Sequence, residues 1–209
     1  MEENQNQSNL PINPDHSNQK IFGKKKESWL EILKFVLITA AIVLPIRFFI
    51  VQPFIVSGPS MEPTFNDKDY LLIDEISYRF ESPKRGETIV FWQPNEKKYL
   101  IKRIIGLPGE TIELSGSEVV IKNSRSPSGF KLNQSFVTNQ KPETAKKFVL
   151  TDDKYFVMGD NRPVSWDSRG WGSLDKKNIV GRPLIRLYPF NDMKTFPGDS
   201  SLEISNTSL

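Results

Sequence analysis

Twenty residues, ILKFVLITAAIVLPIRFFIV at 32–51, carry charge only near their ends, at Lys34 and Arg47. As an α-helix such a run spans about 30 Å, the thickness of one hydrocarbon core. Its centre, 35–46, is apolar all round, whereas a helix packed on a soluble core is apolar along one stripe. A cleaved export signal needs small-x-small after its apolar stretch; the nearest candidate, Val56-Ser57-Gly58, runs into Pro59. The run therefore predicts a single membrane anchor. Lys34 and Arg47 can snorkel to opposite interfaces, Trp29 suits the headgroup level, and Pro45 kinks the last turn without forbidding the span. Lys20, Lys24, Lys25, Lys26 and Lys34 precede or open the run. The positive-inside rule then predicts a cytoplasmic N-terminus, with everything beyond about residue 52 outside the cytoplasm.

Around this anchor the chain divides into four expected parts. Residues 1–28 begin with a stretch rich in Asn, Gln, Ser and Pro that cannot bury enough apolar surface to order itself, and read as a disordered cytoplasmic tail. Residues 29–51 are the anchor. Residues 52–195 read as an extracytoplasmic, mostly β domain, and 196–209 as a flexible tail. Within the domain, short β-type runs at 70–73, 88–92, 99–104, 111–114, 119–122, 147–150, 155–158 and 185–188 are separated by breakers such as Leu107-Pro108-Gly109 and Ser126-Pro127-Ser128-Gly129. Residues 123–147 read as a polar loop. The expected architecture is folded antiparallel sheets or a partly closed barrel.

Composition removes several chemistries. With no Cys there is no thiol nucleophile, disulfide or Cys-ligated metal, and the only His, His16, lies in the polar tail. A Ser-His-Asp triad is thereby excluded from the β domain. Residues 51–209 hold 22 basic and 20 acidic residues, so no stripe for nucleic acid stands out.

Four segments concentrate residues that a plain β domain has little reason to use. Ser57-Gly58-Pro59-Ser60-Met61-Glu62-Pro63-Thr64 puts Ser60 on a stiff turn just past the anchor, although turns are commonly made of these residues. In 99–109, strand alternation places Leu100, Lys102 and Ile104 on one face. A desolvated Lys there loses its proton more readily and can accept one from a hydroxyl, whereas Arg cannot. The plainer reading of Lys102 is a solvated edge-strand residue. The loop 158–172 packs Asp160, Asn161, Arg162, Ser165, Asp167 and Arg169 between glycines, as a site or simply as a surface loop tied by ion pairs. Its spacing does not fit an EF-hand calcium site. Gln52-Pro53-Phe54-Ile55-Val56 is an extended apolar lead-in to Ser60, either groove lining or core.

In combination the motifs S-M-x-P-T after an anchor, K-R-x-x-G-L-P-G, and G-D-N-R-x-x-S-x-D-S-R, in that order, resemble those of type I signal peptidases, over residues 30–190 or so. The resemblance implies a membrane-anchored Ser/Lys endopeptidase that removes signal peptides from exported preproteins, without cofactor or metal. It makes Ser60 the nucleophile and Lys102 the general base, and has Ser165 hydrogen-bond the Lys102 amine. Asp160 would pair with Arg103 and Asp167 with Arg169 to support that loop. Phe54, Val56, Met61, Leu100 and Ile101 would contact the substrate, which prefers small residues at the first and third positions before the cut. Some members carry a Ser two residues before the nucleophile as an oxyanion donor; here that position is Gly58. The Ser60 N–H is then one donor, with Ser57 or the backbone near Gly58 as candidates for the second. The membrane is the cell membrane or a thylakoid, and lipid and signal peptides are the expected partners. Two rivals are a Ser/Lys self-cleaving domain of related fold, which would need a DNA-binding module where this chain has its apolar run, and a non-catalytic anchored β binding domain.

Overall fold

The computed structural model describes residues 22–49, 51–199 and 204–205, with side chains over 28–44 and 52–199. Most of the expected tail at 1–28 and most of 200–209 lie outside the described residues. Two compact units divide at Pro45/Ile46. The first contains most of helix α1, Phe22–Phe49, which covers most of the expected anchor. Among the described residues no helix is long and apolar enough to cross a membrane, the side chains from Pro45 to Val51 lying outside them.

The second unit is built from antiparallel strands. In chain order these are β1 (Val51–Ile55), β2 (Tyr70–Asp74), a short helix α2 (Ser77–Phe80), β3 (Thr88–Gln93), β4 (Lys98–Gly106), β5 (Thr111–Gly116), β6 (Glu118–Asn123), β7 (Ser126–Leu132), β8 (Glu143–Val149) and β9 (Lys154–Met158). A one-turn helix α3 (Ser168–Trp171) follows, then β10 (Leu174–Asp175), β11 (Ile179–Tyr188), β12 (Lys194–Thr195) and β13 (Ile204–Ser205). One sheet runs β1-β2-β11-β3-β4-β9-β10, with β12 beside β11; the other runs β13-β7-β6-β5-β8. Neither sheet closes into a barrel, since β1 and β10 end the first path and β13 and β8 the second.

The first sheet nevertheless curls enough to bring β1 opposite β4: the Phe54 and Tyr99 rings meet edge-on at 5.3 Å although three strands separate them in the sheet. Val56, Met61, Phe65, Leu71, Ile73 and Val90 fill the space inside this curl. A second cluster, including Ile105, Ile112, Leu114, Ile121, Phe130 and Phe156, welds the second sheet to the ends of β4 and β9. These buried side chains supply the apolar burial that fixes both sheets.

Two expectations are corrected here. The segment 123–147 is a loop only in part: β7 and residues 143–147 of β8 occupy much of it, pairing Ile121 with Phe130 and Gly116 with Glu143, while 133–142 between them lies outside any strand. Gly129 lets β7 lie close to β6, because at φ +90° a Cβ there would meet Val120 Cγ1 at 2.8 Å. Nor does a frayed tail begin at 196. The Phe196 N–H donates to Leu184 O at 2.7 Å, Pro197 is buried, and Gly198 O accepts from both Arg103 and Thr88.

Candidate active site

Ser60 sits on the turn that leaves the strand region of β1. Gly58 has φ +86°, a conformation a side chain would strain, and its N–H donates to Asp67 Oδ1 at 2.8 Å. The Glu62 N–H closes the turn onto Pro59 O. From outside, the turn is gripped by one residue of the 158–172 loop: the Asn161 N–H donates to Ser60 O at 3.1 Å, and Asn161 Nδ2 donates to Pro59 O at 3.2 Å. Gly159 makes this grip possible, because a Cβ there would stand 2.4 Å from Ser60 O and 2.3 Å from Ser165 Oγ.

Lys102 reaches the same place from the middle of β4. It is 3% exposed, and its Nζ lies 2.6 Å from Ser60 Oγ and 2.9 Å from Ile101 O. Burial lowers its pKa from 10.5 to about 8, against the opposing pull of Asp167, Asp160 and Glu96. At that value a substantial fraction of the amine is neutral near pH 8. An ammonium would donate to Ser60 Oγ; the neutral amine accepts the Ser60 hydroxyl proton across the same contact.

Behind the pair lies a buried ionic framework. Arg103 donates to both oxygens of Asp160, from Nε at 2.8 Å and Nη2 at 2.6 Å, and Thr64 Oγ1 donates to Asp160 Oδ2 at 2.6 Å. Asp167 accepts from the Gly159 N–H, from Ser165 Oγ at 2.7 Å and from Arg169 through Nε and Nη2. Burial pushes the Asp167 carboxyl up, but those donors outweigh it and hold it below its ordinary value. Arg169 also meets Glu143 on β8 at 3.1 Å, and Arg162 bonds Gln134, so the second sheet braces the loop without entering the site. Burial, then the nearby Arg169, lowers the Arg162 pKa to about 10.

A cavity of about 130 Å³ opens beside Ser60 and Lys102, walled by Phe54, Ile55, Val56 and Ser57 on one side and by Lys98 to Ile101 on the other, with Leu71 and Val90 as its floor. Among the described residues, both walls are strands with an unpaired edge. β1 pairs only with β2, and residues 98–102 of β4 pair only with β3, because β9 joins from Arg103 onward. Among the described residues no group of His, Cys, Asp or Glu could hold a metal ion.

The site corrects three sequence expectations. Ser165 donates its proton to Asp167, and among the described residues the Lys102 amine has hydrogen bonds only to Ser60 Oγ and Ile101 O, so no direct hydrogen bond joins Ser165 to Lys102. Met61 does not line the cavity: it is fully buried beneath it, packed with Phe65 and Leu71. The Gly58 N–H is committed to Asp67, whereas the Ser60 N–H has no acceptor among the described residues and Ser57 lines the cavity.

A family model described as signal peptidase, peptidase S26, matches residues 29–188. The chain belongs to this signal peptidase family. A probable signal peptidase I-2 from Synechocystis sp. is 33% identical over 191 residues, covering 86% of this chain and 85% of its own. A signal peptidase I from Bacillus amyloliquefaciens is 35% identical over 181 residues, covering 81% and 94% respectively, and one from Leptolyngbya laminosa is 33% identical over 170 residues, covering 78% and 81%. For this signal peptidase, sequence reasoning gave no role to Asn161, Thr64, Asp67, Gln134 or Glu143. The first two stand inside recognised motifs. Asp67, Gln134 and Glu143 have no sequence signal, because their partners are 9 to 28 residues away.

Proposed function

We propose that this signal peptidase cuts preproteins with Ser60 as nucleophile and Lys102 as general base. The protein is a serine endopeptidase that removes signal peptides. The reading of its residues rests chiefly on one observation: a buried, readily neutralised amine 2.6 Å from a hydroxyl at the head of an open-edged cavity. No His or Cys in the β domain offers another base or nucleophile.

Neutral Lys102 takes the Ser60 proton as Oγ attacks the scissile carbonyl. The developing oxyanion accepts from the Ser60 N–H, with Ser57 as second donor; such a donor is typically worth about 3–4 kcal/mol. The Lys102 ammonium then protonates the leaving amine, the mature protein departs, and the neutral amine activates the water that hydrolyses the acyl-enzyme. Asp167 and Arg169 orient the loop around Ser165, and the Arg103–Asp160 pair fixes the strand behind Lys102. The signal peptide adds as an extended strand between the free edges of β1 and β4, where backbone hydrogen bonds supply affinity. Leu71, Val90 and Ile101 leave shallow apolar room, which suits small residues at the first and third positions before the cut.

Residues 29–51 anchor the enzyme in a membrane, with residues 1–28 in the cytoplasm and 52–195 outside it. Anchor and substrate then share one lipid surface. Purified enzyme incubated with a preprotein tests the assignment: Ser60→Ala and Lys102→Ala abolish cleavage while the β domain stays folded. Appreciable turnover by either variant overturns it.

A further inference from the structure

The gap between β1 and β4 does not end at the cavity beside Ser60. Tyr99, half exposed, stands between that cavity and a second, larger cleft of about 400 Å³, and lines both. Its ring meets Phe54 at 5.3 Å and Trp92 at 4.9 Å, forming an aromatic sill across the gap. The two sides differ in chemistry. Toward Ser60 the lining is mainly apolar; beyond Tyr99 it is Gln52, Glu75, Tyr78 and Arg79 with Ile179 and Val180. Glu75 stands out among these, because its Oε1 is buried with no hydrogen-bond partner among the described residues. Burial raises the Glu75 carboxyl, with Arg79 pulling the other way. A buried acceptor without a donor is costly unless a ligand supplies one.

We propose that the cleft beyond Tyr99 is a distal subsite of the signal-peptide groove, taking a hydrogen-bond-donating, uncharged polar side chain such as an amide, which donates to Glu75. This rests on the reading that the substrate lies between β1 and β4. Two rulers give the position. Along β4, Tyr99 is three residues from Lys102, about 10 Å; along β1, Gln52 is four residues from Val56, about 13 Å. An extended peptide with its scissile carbonyl at Ser60 therefore passes Tyr99 at about its fourth residue before the cut and enters the cleft at about its fifth or sixth. Arg79 on the same wall disfavours a cationic side chain, and Glu75 disfavours an acidic one.

The test uses the full-length enzyme and peptides that share one cut site and differ only at the fifth or sixth residue before it, carrying Gln, Leu or Glu. The wild type cleaves the Gln peptide with a kcat/KM about three to ten times that of the Leu peptide at one of these positions, the worth of one net hydrogen bond, and the Glu peptide most slowly. In Glu75→Ala the ratio of kcat/KM for the Gln peptide to that for the Leu peptide falls to about one. Equal rates for Gln and Leu at both positions in the wild type, or a Gln advantage that survives in Glu75→Ala, overturn the subsite alone. Failure of the wild type to cleave any of the peptides, or cleavage by Ser60→Ala, overturns the underlying reading as well.

Discussion

Lys102 and Arg103 are consecutive on β4, both almost fully buried, and directed to opposite faces of the strand. Lys102 meets the Ser60 hydroxyl and Arg103 meets the Asp160 carboxylate. The two cations are accommodated in different ways. The guanidinium keeps its charge beside a matched anion, while the amine faces a neutral partner and gives up its proton more easily.

The pairing of Arg103 predicts a large structural penalty for breaking it. Asp160→Ala leaves a guanidinium that is 1% exposed without its anion, and destabilises the protein by about 3–5 kcal/mol. Denaturant titration of the purified protein checks this. A loss below about 1 kcal/mol, the scale of an exposed pair, would show that Gly86 O and Gly198 O suffice as partners for Arg103.

Lys102 predicts the opposite trade. Moving its pKa from 10.5 to about 8 on folding means the charged form is disfavoured by about 3 kcal/mol in the native state. Lys102→Met is therefore inactive but more stable at pH 7, by up to that amount. Between pH 8 and 10.5 the unfolded wild type still holds the proton that the folded protein has released, so wild-type stability rises with pH in this window. The advantage of Lys102→Met shrinks over the same range. Thermal melts of both proteins from pH 7 to 10.5 measure it, and a variant that melts below the wild type at pH 7 contradicts the account.

Asp167→Asn removes the largest interaction that raises the Lys102 pKa. The acid limb of the pH–rate profile shifts to lower pH, and the maximal rate falls because the amide keeps one acceptor oxygen where Ser165, Gly159 and Arg169 share two. A limb that moves to higher pH would show that loop disorder outweighs the electrostatic effect.

Asn161 grips the nucleophile turn without touching Lys102. Asn161→Ala lowers kcat about tenfold through misplacement of Ser60, with the acid limb unmoved. Asn161→Asp is isosteric but sets a carboxylate against Pro59 O, and falls further. Wild-type kcat in the Asp variant would remove Asn161 from the positioning of Ser60.

The strands around the site were legible because β3, β4 and β9 are β-type runs bounded by turn residues, and the Lys102 face follows from alternation alone. β7 was not, since Ser126-Pro127-Ser128-Gly129 has the composition of a turn; Pro127 escapes a ladder role only because the register slips between Ile121 and Asn123. Ser60 and Lys102 could be picked out by elimination and motif. The direction of the Ser165 hydroxyl could not, because it depends on Asp167 Oδ2 arriving 2.7 Å away. The brace from Glu143 was equally hidden, its contact with Arg169 being set by sheet placement and not by local pattern.

The proposed role of Lys102 is tested most directly by the pH dependence of kcat/KM for preprotein cleavage, with Lys102→Arg measured alongside. The account predicts a single acid limb with an apparent pKa of about 8 in the wild type, rates rising as the buried amine loses its proton, and no activity in Lys102→Arg at any pH. A rate independent of pH between 6 and 9, or an active Lys102→Arg enzyme with the wild-type limb, would contradict it.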